Sequence, residues 1–408
     1  MKIFWAGDSP TVNTGFGIVS KNVIDQLMKR GHEVVVFGVN HYGEPYNQEV
    51  YPYKIYPMRQ GGTAQMYGYD TLWPTLEFEK PDLLFYLNDP WMIHDYEKRK
   101  PRDFPYLKTM AYFPIDAGPL KPVWAEMLAE FDAQVCYSNF GERVIIDALK
   151  GKRPDNLHQL YHAVDTTTFK PINQQLARQR LDIPMETFVV GMVARNQFRK
   201  RFDILAKAFA DFAKDKDNVK LYLHTALHDI GFDIIDLARQ FDLEGKLMLT
   251  EGVDNPAHGV TNEELNLIYN VFDVNCLISL GDGFGLPVAE SMATGCPQLV
   301  SNHSCLQELV EGHGGLTVKN AAWLLHTSGI NTWGGLSDHE DLTDKLQLLY
   351  DNRELRIRLA EEGYKYITQP QFTWDYVGDR FDRIIRDMFH VLKSKDKVMM
   401  TSGDLLRV

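Results

Sequence analysis

Ile3-Phe4-Trp5-Ala6, Gly15-Phe16-Gly17 and Val34-Val35-Val36-Phe37 punctuate the first forty residues, and their order decides the fold. The first is a short apolar run. The glycines follow in a polar loop. Val19, Val23 and Leu27 then recur every four residues with Ile24 and Met28 beside them, the spacing of a helix with one apolar face. Gly31 stops that helix, and Lys29 and Arg30 complement its C-terminal carbonyls. Val34–Phe37 is apolar without alternation, as in a strand buried on both faces. Strand, helix and strand over this length make a βαβ unit, and hence a parallel sheet.

The same grammar extends along the chain. Leu83–Leu87, Thr109–Phe113 and Ala133–Tyr137 read as further strands and complete a first α/β domain near residue 165. Phe188–Val193 opens a second, followed by a helix through Phe202, Leu205, Phe209 and Phe212. Lys220–His224, Leu247–Leu249, Val274–Ile278 and Gln298–Val300 are its other strands. Thr261-Asn262-Glu263-Glu264 has the form of a capping box before Leu265 and Ile268. From about residue 340 the chain reads as helical, through Leu342, Leu346 and Leu349 to Phe381, Ile385 and Met388. Residues 40–70 carry seven of the 19 tyrosines and Gly61-Gly62. They read as an irregular packed excursion or short strands, or as a platform of rings for an acceptor. Two α/β domains in succession place the natural binding site in the cleft between them.

The chain has 408 residues, 44% hydrophobic and 24% charged, which fits two or three ordinary globular domains. No run approaches the roughly 18 apolar residues of a membrane span. The start reaches Asp8 too soon for a secretory signal. Cys136, Cys276, Cys296 and Cys305 form no short-spaced pair, so neither a disulfide framework nor a zinc knuckle is expected, and the expected compartment is the cytoplasm. With 55 acids against 43 bases the net charge is −12, which counts against a broad electrostatic grip on nucleic acid or anionic lipid. An anionic ligand would need a local basic cleft.

Two stretches supply one. Gly281-Asp282-Gly283-Phe284-Gly285-Leu286-Pro287 follows a buried strand and leads into a helix with Pro287 in its first turn. The glycines allow close approach, and the loop and helix start would present free amides to one anion. Glu290, one turn in, suits ligand hydroxyls better than phosphate. The bland alternative is a glycine turn with a helix-stabilising Glu. Arg195-Asn196-Gln197-Phe198-Arg199-Lys200-Arg201 follows the strand ending at Val193 and puts four cations at the crevice. Arg and Lys there can both meet a pyrophosphate; the alternative is a solvated basic turn. Asp215-Lys216-Asp217 reads as a solvated helix end rather than a metal site.

Asp282–Ala293 resembles the Glu-x7-Glu motif of retaining glycosyltransferases of family 4 (group 1), which have the GT-B fold. Arg195 and Lys200 match that family's Arg-x4-Lys pair. His162-Ala163-Val164-Asp165 with Phe169-Lys170-Pro171, Gly15-Phe16-Gly17, Ser138-Asn139-Phe140 and Gln371-Phe372-Thr373-Trp374 resemble further signatures of the family, in its order, over residues 1–390.

The resemblance implies two Rossmann-like domains facing a central cleft. Residues 1–168 would take the acceptor and residues 169–374 the donor, with the C-terminal helix of about 375–408 returning to the first domain. Arg195 and Lys200 would neutralise the leaving diphosphate. Asp282 would meet hydroxyls of the donor sugar, and Glu290 those of the ribose. Gly283, Phe284, Gly285 and Leu286 would offer amides, with Gly15 and Gly17 contributing across the cleft. Asp116 would orient a sugar hydroxyl or the acceptor. The base would lie near Glu251–Asp254, touching Val253. Two features depart from the pattern: Asp282 is one methylene shorter than Glu, and no His stands at Pro114 or Ile115.

The expected activity is transfer of a sugar from a UDP- or GDP-type donor to a hydroxyl. Retention by front-face attack is expected, with no metal and no cofactor beyond the donor. The acceptor could be a sugar, a glycan or a small molecule. A nucleobase in DNA is an alternative the charge disfavours, and a lipid-linked acceptor finds no basic amphipathic helix at residues 18–30. A non-catalytic nucleotide-sugar-binding module and an epimerase of the same fold are the remaining alternatives.

Overall fold

A computed structural model describes residues 1–59, 66–253, 259–326 and 330–403, with side chains to residue 389. Seven parallel strands form the first sheet: β1 (Lys2–Asp8), β2 (Glu33–Val39), β3 (Lys54–Pro57), β4 (Leu83–Leu87), β5 (Lys108–Phe113), β6 (Ala133–Cys136) and β7 (Leu157–Gln159). Their order is β3-β2-β1-β4-β5-β6-β7. The second sheet holds β8 (Phe188–Val193), β9 (Val219–His224), β10 (Leu247–Leu249), β11 (Val274–Leu277), β12 (Gln298–Ser301) and β13 (Gly315–Val318), all parallel, in the order β10-β9-β8-β11-β12-β13. Strand order reverses between β1 and β4 in one sheet and between β8 and β11 in the other. Ligands of open α/β sheets bind in such a crevice, beyond the carboxyl ends of the strands.

The central strands are buried along their lengths, which is why they read as unbroken apolar runs. The first helix starts at Gly15 rather than after the glycines, because the Thr14 side chain accepts from the Gly17 amide and caps it. The capping box at Thr261 and Glu264 forms in full.

Short edge strands β7 and β13 extend the sheets beyond the sequence reading, while β3 falls in the tyrosine-rich segment for which short strands are one expectation. An antiparallel hairpin, β14 (Asn320–Leu325) with β15 (Trp333–Ser337), lies outside both sheets and is likewise absent from the sequence reading. In the tyrosine-rich segment, Tyr46, Tyr51 and Tyr53 pack edge to face, and Tyr67 and Tyr69 pack against Trp91 and Tyr96. Gly61-Gly62 lies outside the described residues.

The chain passes between the sheets twice, at adjacent points. The Val164 amide donates to the Phe372 carbonyl at 3.0 Å. His162 is buried between Tyr137 and Phe284, with Nδ1 2.6 Å from the Tyr112 hydroxyl. The helix from Trp374 to Gly403 then packs on the Gly15–Lys29 helix. Phe381 seats on Phe85 and Tyr112 of the first sheet, and Arg30 pairs with Asp375.

Candidate active site

The two crevices face each other at contact distance. A Cβ on Gly281 would lie 2.1 Å from the Asp116 carbonyl oxygen, and one on Gly283 2.4 Å from Pro114 Cβ. Glycine is therefore required where the loop after β11 meets the loop after β5. On the rim, Glu308 accepts from the Asn139 and Phe140 amides at 2.9 and 2.8 Å, and from the Tyr161 hydroxyl at 2.5 Å. A carboxylate from the second unit thus caps a helix of the first, where the exposed amides favour negative charge.

A charge cluster occupies the centre. Lys200 Nζ lies 2.5 Å from Asp282 Oδ1, and Arg199 Nη1 lies 2.8 Å from the same oxygen. Arg199 also donates to the Gly281 carbonyl at 2.7 Å and stands 3.8 Å from Asp116 Oδ2. Burial alone would raise the Asp282 carboxyl, but Lys200 and Arg199 outweigh it and hold it at about 2. Burial and the neighbouring Arg199 lower the Lys200 ammonium, against the pull of Asp282. Asp282 Oδ2 is buried without a hydrogen-bond partner among the described residues. A buried carboxylate oxygen left so is costly unless a ligand donates to it.

Two carboxylates of the first unit face this cluster. Asp116 keeps 33% of its side chain open, so a ligand can reach it, and enclosure raises its carboxyl despite Arg199. Asp89, at the carboxyl end of β4, is raised to about 7 by enclosure and by Asp116.

Beside the cluster, the amides of Gly283, Phe284, Gly285 and Leu286 donate to no group among the described residues. Gly285, at φ 93°, leads into the helix Leu286–Ala293, which has no side-chain cap. These amides and the helix start form an anion cradle. Leu286 Cδ1 lies 3.8 Å from the Cβ position of Gly15, so the first helix of the other unit closes its far side. The Gly17 amide is already spent on Thr14. The Phe284 ring turns away into the crossover, against His162. Glu290 accepts from the Tyr269 hydroxyl at 2.8 Å, and burial pushes its carboxyl up to about 7. Val253 is buried at the end of a described stretch, and Asp254 lies outside the described residues.

Arg195 stands apart from Lys200. It forks onto Asp229 at 2.7 and 3.1 Å with half its side chain exposed, while acting electrostatically on Asp8 of the first unit. The cation that shares Asp282 with Lys200 is Arg199. Four cations in seven residues mark the loop in the sequence, but nothing local says which of them turns inward. Asp215 and Asp217 are exposed past the end of the Phe202–Phe212 helix. Among the described residues, no three His, Cys, Asp or Glu side chains are placed to share a metal ion.

Residues 173–366, which carry β8 to β15 and the charge cluster, match the family model of glycosyl transferases group 1. This second unit is similar to group 1 glycosyl transferases. Its similarity extends to a D-inositol 3-phosphate glycosyltransferase of Stackebrandtia nassauensis, 26% identical over 62% of this chain and 54% of that protein. An MMP alpha-(1->4)-mannosyltransferase of Mycolicibacterium hassiacum is 29% identical over 55% of this chain and 47% of that one. The chain thus spans about half the length of the curated relatives it matches.

Over the whole chain the fold is GT-B. A sucrose-phosphate synthase from Thermosynechococcus elongatus superposes with a TM-score of 0.77 at 16% identity, covering 96% of this chain and all of that one. The Anabaena protein HepE, in complex with UDP and glucose, gives 0.70 at 14% identity over 95% of this chain and all of its own. The second unit carries its charge cluster and anion cradle on the cleft side, facing the first unit. No described helix is long and apolar enough to cross a membrane.

Proposed function

We propose that the protein is a retaining glycosyltransferase of family 4 type that moves a sugar from a nucleotide-diphosphate donor to a hydroxyl acceptor. One observation carries the reading. The carboxylate Asp282 has one oxygen held by Lys200 and Arg199, and among the described residues its other oxygen and four amides at the neighbouring helix start have no hydrogen-bond partner. The amides, Lys200 and Arg195 suit a diphosphate. The free Asp282 oxygen suits a sugar hydroxyl next to it, and Glu290 suits the ribose hydroxyls. Departure of the nucleotide diphosphate builds charge on its β-phosphate, and preorganised cations and amides stabilise that charge where it develops. Fixed cations take the part a metal would otherwise play, so the reaction proceeds without one. The departing phosphate oxygen receives the acceptor proton, and the acceptor attacks from the same face.

UDP is the favoured nucleotide, since the similarly folded HepE is seen with UDP and glucose. The acceptor meets the side of the cleft that carries Asp89 and Asp116. Calorimetry against UDP, GDP and ADP and their glucose and mannose conjugates tests the reading, together with release of nucleotide diphosphate in a chelator. Micromolar binding of one nucleotide and metal-free turnover are expected. Binding of none sinks the proposal, turnover lost in chelator and restored by Mg²⁺ removes the metal-free step, and an inverted anomer by NMR removes retention.

A further inference from the structure

The β14–β15 hairpin belongs to neither sheet, yet it is tied to both sides of the cleft. The Trp333 amide donates to the Gly118 carbonyl of the first unit at 2.6 Å, two residues from Asp116. The Gly335 amide donates to the Leu280 carbonyl at 3.1 Å, two residues from Asp282. A Cβ on Gly334 would lie 2.6 Å from Leu280, so the hairpin lies flat on that loop. Strand alternation sorts its side chains. Trp323, Leu325 and Trp333 share one face and are about half exposed. His326, one step past Leu325, belongs to the opposite face, the one toward Leu280.

The His326 amide donates to the Thr332 carbonyl at 2.9 Å, and the next residue along that strand, Trp333, bonds Gly118. His326 is therefore one strand spacing from the loop that carries Asp116. Its Nε2 is buried and has no hydrogen-bond partner among the described residues. A buried ring nitrogen is seldom left so, because the lost hydration is not recovered.

We infer that His326 is a ligand-positioning residue of this site, whose Nε2 hydrogen-bonds a sugar hydroxyl held between Asp116 and Asp282. The hydroxyl comes from the donor's sugar or from the acceptor; either supplies the donor or acceptor atom a neutral imidazole needs. Burial lowers the ring's basicity, and the opposing pulls of Asp116 and Arg199 on it agree with its facing the charge cluster. The inference rests on the glycosyltransferase reading. It adds that an element outside both parallel sheets completes the sugar end of the site.

The test uses the full chain, with the nucleotide and sugar nucleotide chosen by the calorimetric panel. The ¹⁵N resonances of His326, assigned by loss in His326→Gln, are followed as nucleoside diphosphate, sugar nucleotide and then acceptor are added. A shift with the sugar nucleotide but not the bare diphosphate assigns the donor sugar; a shift only with a neutral monosaccharide acceptor, in the presence of diphosphate, assigns the acceptor. His326→Ala then weakens that same ligand about tenfold, with diphosphate affinity unchanged, and His326→Gln recovers part of the loss. Resonances that stay still through all additions, in wild-type protein that turns over, overturn the inference and leave the wider reading intact. Wild-type protein that binds no nucleotide at all brings both down.

Discussion

Lys200 and Arg199 share one oxygen of Asp282, so a diphosphate bound as proposed would displace part of an ion cluster. The gain appears only as charge builds on the leaving group, which is the condition for a raised kcat rather than a lowered KM. Lys200→Ala and Arg195→Ala are each expected to lower turnover about 10²-fold at saturating donor, the usual scale for losing one transition-state charge partner. Wild-type turnover in both variants would remove the phosphate assignment. Glu290 makes a separate prediction. Its carboxyl stands at about 7 in the fold against 4.5 in the open chain. The unfolded chain therefore loses this proton first, and stability falls as pH rises between those values. By linkage the loss approaches about 3 kcal/mol by neutral pH. In Glu290→Gln, urea midpoints between pH 4.5 and 7 should lose that component of the slope; identical slopes would deny a buried, protonated Glu290.

The loop from Ser9 to Gly17 shows what an element adds. A side chain at Gly17 would meet the Val12 carbonyl oxygen at 2.2 Å and the Ser9 carbonyl oxygen at 3.0 Å, and the Gly17 amide holds the helix cap. Thr14 also donates to Asp8 at 2.6 Å, tying the helix start to the end of β1. The glycine is needed first for the turn and only through the turn for the ligand. Gly17→Val should therefore destabilise the protein by roughly 1–3 kcal/mol through overpacking. It should leave nucleotide affinity within about tenfold, because the cradle at Gly283–Leu286 is on the other unit. Denaturant melts and calorimetry on the same sample check both parts; unchanged stability with lost nucleotide binding would instead place the Gly17 backbone on the phosphate.

For the whole molecule, the question is what holds the cleft shut before a ligand arrives. Glu308 capping the Asn139–Ala148 helix, and the glycines seated on Pro114 and Asp116, bring the two units into contact. In the proposed reaction, closure would exclude water that competes as acceptor. Glu308→Ala removes the cap without touching the cradle. It is expected to enlarge the radius of gyration of the free protein by scattering, with recovery when nucleotide diphosphate binds and draws the units together. A radius equal to wild type in both states would show that the Glu308 cap does not hold the cleft. The returning helix supports the same closure from behind, through Phe381 on Phe85 and Tyr112.

Much of this architecture was legible along the chain. Parallel strands buried on both faces are short apolar runs, and β4 and β8 begin and end where those runs do. The capping box at Thr261 is local chemistry and was readable as such. The cleft position followed from two βαβ units in succession. The hairpin was not readable: β15 is Trp333-Gly334-Gly335-Leu336-Ser337, and two glycines erase the alternation that marks a strand. Nor was the choice of Arg199 over Arg195 as the partner of Asp282. Those residues are 83 apart, and which cation turns inward depends on how the loop after β8 meets the loop after β11. Local pattern reports burial and backbone geometry because neighbours along the chain set them. Ion pairs, orphaned oxygens and the imidazole of His326 arise where distant segments touch, and their energies depend on a burial that exists only after the two units have packed.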